Sequence, residues 1–347
     1  MAESKKKLAI VLPGGGVRGV LQARLLKALD EKLNGIAQEK GYQYNGLGYH
    51  VDYIAGTSIG ATNAINTIIK GVDNLKFTTD DNFKMFTDNA GTMLKKNSFF
   101  PVTAPYFSSD RMEEVVKERF GEKTFSNENL SGKILINSFN LESCCNTIFT
   151  NIGTEEDRRK LPGYVWDIDN IKLRDAAVAS ASIPGALPAK EIEYAKDESG
   201  VTQYHEVDGC MINNSPVLSL VTDIHTLDKV DFRDMFVVSI GTGSTQSCLS
   251  HMSNKGVGSY MLDIIPVLSS HIDAIQKDSE KKAEAILNAN GGKFYNLNPI
   301  LSDEGYTGAV NDTKESSNKC IAIAEEYIAE NDGYLNELAH EILQCCF

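Results

Sequence analysis

Two glycine-rich turns constrain this chain more than anything else in it, because each stands where an apolar run gives way to a helical pattern. "KLAIVLP" (7–13) is short, apolar and bounded by glycines, the pattern of a buried strand. After Gly14-Gly15-Gly16-Val17-Arg18-Gly19 comes a stretch in which Leu21, Leu25, Leu26, Leu29 and Leu33 recur at helical spacing and Gly41 is the stop. "YHVDYIAG" (49–56) predicts a second strand, Gly56-Thr57-Ser58-Ile59-Gly60 a second turn, and 59–70 a second helix. Strand, helix, strand, helix predicts a parallel sheet with covering helices. Right-handed crossovers then bring both turns side by side at the carboxyl edge, where open α/β sheets place their sites.

The rest of the chain continues that pattern more loosely. Residues 71–108 are less periodic, and 109–121 reads as a helix capped by Ser109 or Asp110. Residues 132–141 and 235–243 read as buried strands, and 174–188 as a small-residue helix stopped by Pro184. "VTQYHEVDGCMI" (201–212) is strand-like around Asp208-Gly209, and the tail is helical over 266–289 and 313–330. With no repeat, low-complexity segment or linker in 347 residues, one domain is expected. Its core covers about 7–243, with a mainly helical C-terminal extension over about 244–347.

A formal net charge of −13 argues against nucleic acid as a partner and against simple electrostatic adhesion to an anionic membrane. A lipid surface would have to be met through apolar groups. The seven cysteines have no regular spacing, so neither a disulfide framework nor a zinc site is predicted, and a reducing compartment is the simpler reading. No run approaches 18 apolar residues, and the apolar run near the start is too short for a signal-peptide core. A cytoplasmic protein, peripheral to membranes, is expected; export without a cleaved signal is the alternative.

Gly56-Thr57-Ser58-Ile59-Gly60 fits G-x-S-x-G. Between a strand and a helix, such a serine sits on a strained turn that exposes Oγ at the helix N-terminus, where amides and dipole favour developing negative charge. The plainer reading is a tight turn with a capping serine. The Gly14–Gly19 loop matches the dinucleotide fingerprint G-x-G-x-x-G, but the acidic residue that binds a ribose belongs at the end of the second strand, about 20 positions on, where Leu33–Lys40 is still helix and turn; Asp52 lies inside the next strand. Its rival is an oxyanion hole of consecutive glycine amides, with Arg18 bracing the loop or attracting a phosphate. None of the six histidines lies in a motif tied to Ser58. Asp208, on a turn after a β stretch, is the better base; an ordinary Asp-Gly hairpin turn is the plain alternative.

Taken in order, GGGxRG at 14–19, GTSIG at 56–60 and Asp-Gly at 208–209 resemble the patatin-like phospholipases. So do "LRDAAVASASIPGALPA" before the Asp turn and "VVSIGTG" after it. The resemblance implies a three-layer α/β patatin-like fold: a mostly parallel central sheet with helices on both faces and a helical C-terminal part. It implies a Ser-Asp dyad of Ser58 and Asp208 and an oxyanion hole from the amides of Gly14, Gly15 and Gly16. Arg18, Gly19, Gly56, Gly60 and Gly209 support these. It implies cleavage of acyl esters of phospholipids, lysophospholipids or neutral lipids at a membrane or micelle surface, with no metal and no cofactor. Phe99, Phe100, Tyr106 and Phe107 are the candidate interfacial contact or lid. Pro13 and Cys210 depart from the family's usual pattern. Two other readings stand beside this one: a nucleotide-binding protein using residues 14–19, and a lipid-binding regulator without catalysis. An activating partner or ligand is compatible with the first.

Overall fold

The computed structural model describes residues 5–71, 78–97, 104–195, 201–245, 264–301 and 310–347. Strand β1 is Lys7–Leu12 and β2 is Tyr53–Thr57. Side chains of β1 alternate between two cores: Leu8, Ile10 and Leu12 enter one, Ala9 and Val11 the other. Both faces are covered, so the run reads as apolar throughout rather than alternating with polar residues.

The other strands of the sheet are β3 (Lys133–Asn140), β4 (Cys145–Thr150), β5 (Lys190–Ala195), β6 (Val201–Asp208), β7 (Met235–Ile240) and β8 (Lys293–Leu297). Their order is β8-β7-β1-β2-β3-β6-β5, with β4 also paired to β3. From β8 to β3 all neighbours are parallel; β4, β5 and β6 add antiparallel pairings, so the sheet is mixed but mostly parallel.

Helices α1 (Gly19–Lys40) and α2 (Ile59–Ile68) pack on one face. Helices α3 (Thr79–Asp88), α4 (Asp110–Phe120) and α5 (Leu173–Ala181) join the same core. Helix α6 (Val217–Thr226) covers the opposite face through Val217, Leu220, Val221 and Ile224. Helix α7 (Ile264–Ala289) adds Ala283 and Leu287 there. Helices α8 (Lys314–Glu330) and α9 (Asp332–Cys346) return to the α1 face. The result is three layers, helix–sheet–helix, as expected.

The C-terminal extension is less purely helical than its composition suggests, because β8 joins the main sheet beside β7. "KFYNL" carries only a weak apolar pattern, so its pairing comes from the neighbouring β7, which is buried along its whole length.

One feature of the sheet places the site. Strand β3 is longer than β2. Thr57 pairs with Asn137, where β2 leaves the edge, and β6 takes over that edge antiparallel, pairing Asp208 with Ser138. The edge must be shared because β4 occupies the other side of β3 through residues 135–140. Strands β2 and β6 therefore meet end to end, and the residue after β2 faces the last residue of β6.

Candidate active site

Ser58 is that residue after β2. Its backbone has φ 55° and ψ −129°, a conformation that costs a residue with a Cβ and persists only where its surroundings enforce it. The enforcement comes from the glycines. A Cβ on Gly60 would run into the Leu12 carbonyl oxygen, and one on Gly56 into the Gly60 carbonyl. Only with both side chains absent do β1, β2 and the first turn of α2 approach this closely. Gly19 serves the same packing one layer away, since a Cβ there would strike Ile59.

Although Ser58 occupies the N-cap of α2, its side chain makes no capping bond. Instead Oγ donates to Asp208 Oδ2 at 2.6 Å. The Ser58 amide donates to Ser180 Oγ at 2.8 Å, and that hydroxyl donates to the Asn137 carbonyl at 2.7 Å. Asn137 also receives the Thr57 hydroxyl at 2.6 Å and donates to the carbonyls of Gly209 and Asn213. Gly209 is required here, because a Cβ would overlap Asn137. Serine and aspartate are thus both built onto one asparagine of β3.

Asp208 is fully buried. Loss of water pushes its carboxyl up from 3.8 to about 6, against the Ser58 hydroxyl and the Cys210 amide and thiol, which stabilise the ionised form. The Cys210 amide donates to Oδ1 at 2.8 Å, leaving Oδ2 to Ser58. Asp208 does not form a hairpin turn; residues 209–211 continue as a short 3₁₀ helix. The Cys210 thiol is pushed well above its ordinary value by burial and by Asp208, so it stays protonated and unreactive.

The glycine loop requires one correction. The Gly14 amide donates to the Asn214 carbonyl at 3.1 Å and is not available to an oxyanion. Among the described residues the Gly15 and Gly16 amides have no such acceptor, so the candidate hole narrows to these two. Gly16 adopts φ 59°, in the left-handed region, and lines the same clefts as Ser58. A Cβ on Gly15 would collide with Thr242, whose hydroxyl donates to the Gly14 carbonyl at 2.9 Å. The Arg18 Nε donates to the Gly15 carbonyl at 3.2 Å, so Arg18 braces the loop. Asn214 in turn donates to Gln276 Oε1 at 2.8 Å, and Gln276 to Glu280 at 3.0 Å, both on α7.

Two clefts meet at Ser58. One is apolar, encloses about 740 Å³ including its open mouth, and is lined by side chains such as Phe86, Met93, Leu94, Phe107 and Leu187. The other is more polar, with Arg18, Asn214, Ser269 and Asp273 in its walls. Phe107 is 4% exposed and part of the core, so it is a cleft wall and not an exposed contact. Tyr106, at 41%, is exposed, while Phe99 and Phe100 lie outside the described residues. His205 is exposed and paired with Glu142; His50 stacks on Tyr44. Neither is hydrogen-bonded to Ser58, whose hydroxyl donates to Asp208. Among the described residues no group of three or more His, Cys, Asp or Glu side chains is placed to hold a metal ion, and no helix is long and apolar enough to cross a membrane.

Residues 10–221, more than half of the chain, match the family model described as patatin-like phospholipase. The chain belongs to the patatin-like phospholipases. It is 22% identical to Patatin-like protein 1 of Arabidopsis thaliana over 96% of this chain and 81% of that protein. It is 23% identical to Patatin-like protein 1 of Oryza sativa subsp. indica, over 70% of this chain and 60% of the relative. With Patatin-like protein 2 of the same rice it shares 24% identity, over 69% and 62%. Patatin-like membership makes a lipid acyl hydrolase the general assignment. The mixed sheet with helices on both faces is the fold expected of a patatin-like chain.

Several residues around the patatin-like site have no motif of their own. Asn137 stands in a segment readable only as a strand, Ser180 is one of several small residues in the helix that resembles the family, and Gln276 lies beyond the family match. Polar residues inside a mostly buried strand, as in "KILINSFN", are the one available signal.

Proposed function

We propose that this chain is a serine esterase of the phospholipase A or lysophospholipase type, with Ser58 as nucleophile and Asp208 as base. The observation that carries the reading is the 2.6 Å bond between Oγ of a serine held at positive φ and a wholly buried carboxylate. A carboxyl with a pKa of about 6 is ionised at neutral pH, yet basic enough to accept the proton as Oγ attacks.

Oγ bonds to the ester carbonyl carbon, and its proton passes to Asp208. The carbonyl oxygen becomes an oxyanion facing the Gly15 and Gly16 amides at the positive end of α2. As the intermediate collapses, the carbon–oxygen bond to the leaving alcohol breaks and Asp208 returns its proton to that oxygen. Water then attacks the acyl-enzyme and gives a proton to Asp208. The fatty acid leaves as Oγ recovers its hydrogen. The apolar cleft takes the acyl chain and the polar cleft the headgroup side. The substrate is an acyl lipid met at a membrane or micelle surface through apolar groups, since the net charge of −13 disfavours electrostatic adhesion.

The test is hydrolysis of p-nitrophenyl butyrate and of phosphatidylcholine vesicles by the wild type, Ser58→Ala and Asp208→Asn. Loss of about a thousandfold or more in both variants is expected. Full activity in Asp208→Asn would return the base to another residue.

A further inference from the structure

The apolar cleft beside Ser58 has walls of two origins. Its inner side comes from within the family match, with Phe107 and Leu187 among its residues. Its outer side joins the turn after α3, through Met93 and Leu94, to the start of α8, through Val310, Asp312 and Ser317. The second of these segments lies outside residues 10–221.

The two outer segments are fastened by one side chain. Asp312 accepts from the Gly91 amide through Oδ1 and from the Leu94 amide through Oδ2, each at 2.8 Å. Each carboxylate oxygen therefore holds one amide of the turn. Gly91 takes φ +79°, and a Cβ there would lie 3.2 Å from the Lys314 amide, so the turn sits tightly against the helix start. Thr313 caps α8 by accepting from the Ser316 amide, and Arg24 of α1 holds α8 through a two-pronged pair with Glu325. The outer wall is thus tied to the body of the protein on both sides.

We propose that Asp312 is a specificity-determining clasp: by fastening the 89–94 turn to α8 it fixes the outer wall of the cleft, and so sets which unbranched fatty-acyl chains the site prefers. The inference rests on the hydrolase reading above and adds the residues that select the acyl group. Each methylene packed against a fixed apolar wall is worth about fourfold in selectivity. A wall that has come loose returns less per methylene, and a wall that has been filled returns none.

The experiment compares kcat/KM for p-nitrophenyl acetate and p-nitrophenyl dodecanoate in the wild type, Asp312→Ala and Ser317→Trp. Asp312→Ala unfastens the wall; Ser317→Trp fills the cleft whatever the clasp does. A fall of about tenfold or more in the dodecanoate-to-acetate ratio is expected in both. An unchanged ratio, or equal losses on the two esters, overturns the proposal. A second readout is independent of turnover: displacement of a fluorescent fatty acid by dodecanoate in Ser58→Ala, Ser58→Ala/Asp312→Ala and Ser58→Ala/Ser317→Trp. Binding at least tenfold weaker in both double variants is expected, and equal binding in Ser58→Ala/Asp312→Ala overturns the proposal. Should the wild type hydrolyse neither ester, the hydrolase reading fails, and the displacement result alone then judges the cleft.

Discussion

Ser58 Oγ and Asp208 Oδ2 lie 2.6 Å apart although 150 residues separate them in the chain. The contact follows from the register of β3, which hands its edge from β2 to β6 between Asn137 and Ser138. The proposed dyad stands at two strand ends, so the hydrogen bonds of the sheet hold it in place.

Asp208 gives activity a pH dependence with a definite sign. Burial raises its carboxyl to about 6, and in the proposed mechanism only the ionised form accepts the Ser58 proton. The kcat/KM for a neutral ester is therefore expected to rise through an apparent pKa of about 6 and level off above it. A flat profile from pH 4.5 to 8 would contradict this.

Asp223 carries a pH effect on stability alone. It is 2% exposed, its Oδ1 accepts the Tyr164 hydroxyl, and Oδ2 has no partner among the described residues. Burial raises it from 3.8 to about 6, so the folded state binds the proton more tightly than the unfolded chain. The stability this contributes is present below about pH 4 and is lost as pH rises through about 6. The Tm of Asp223→Asn relative to wild type should therefore increase between pH 4 and 7, as differential scanning fluorimetry can show.

Ser180 holds Ser58 through its hydroxyl, which accepts from the Ser58 amide and donates to the Asn137 carbonyl. Removing its hydroxyl frees the Ser58 amide and the Asn137 carbonyl together. Ser180→Ala should lower kcat about tenfold to a hundredfold with KM little changed, in line with a lost buried hydrogen bond. Steady-state kinetics with a soluble ester, beside a Tm measurement, separates this from unfolding.

Gly60 has no room for a methyl group, because the obstacle is the Leu12 carbonyl and not a mobile side chain. Gly60→Ala should cost about 3 kcal/mol in denaturant unfolding. The open position Gly35, near which a Cβ meets nothing within 4 Å, should accept alanine without loss.

Turnover should be indifferent to chelator. The chemistry proposed uses only Ser58, Asp208 and backbone amides. Dialysis against EDTA is expected to leave p-nitrophenyl butyrate hydrolysis unchanged, and a loss restored by a divalent cation would contradict the mechanism.

Much of this was legible in the sequence, for identifiable reasons. The opening strand–turn–helix repeats were readable because β1 and β2 are buried on both faces and the glycines between them are sterically obligatory. Ser58 stood out because G-x-S-x-G marks a conformation few residues tolerate. Asp208 was harder. "HEVDG" offers two acids on the same side of β6, and composition does not say which faces the serine. The register gives Asp208 to Ser58, while Glu206 receives Ser138, Asn140, Thr147 and Tyr194 instead. Gly14 was misread as an oxyanion donor because a run of glycines shows how many amides exist, not which are already bonded to Asn214. Phe107 was misplaced because an aromatic between prolines reads alike whether it faces solvent or lines a cleft. The wall from α8 had no local signal, since its fastening depends on the contact of Asp312 with a turn more than 200 residues earlier.

The most direct measurement is the intact mass and peptide map of the protein after exposure to an alkyl fluorophosphonate. The account predicts a single adduct on Ser58 in the wild type, none in Ser58→Ala, and labelling slowed by about a hundredfold or more in Asp208→Asn. An adduct on another residue, or labelling of Ser58 at the same rate without the Asp208 carboxylate, would contradict it.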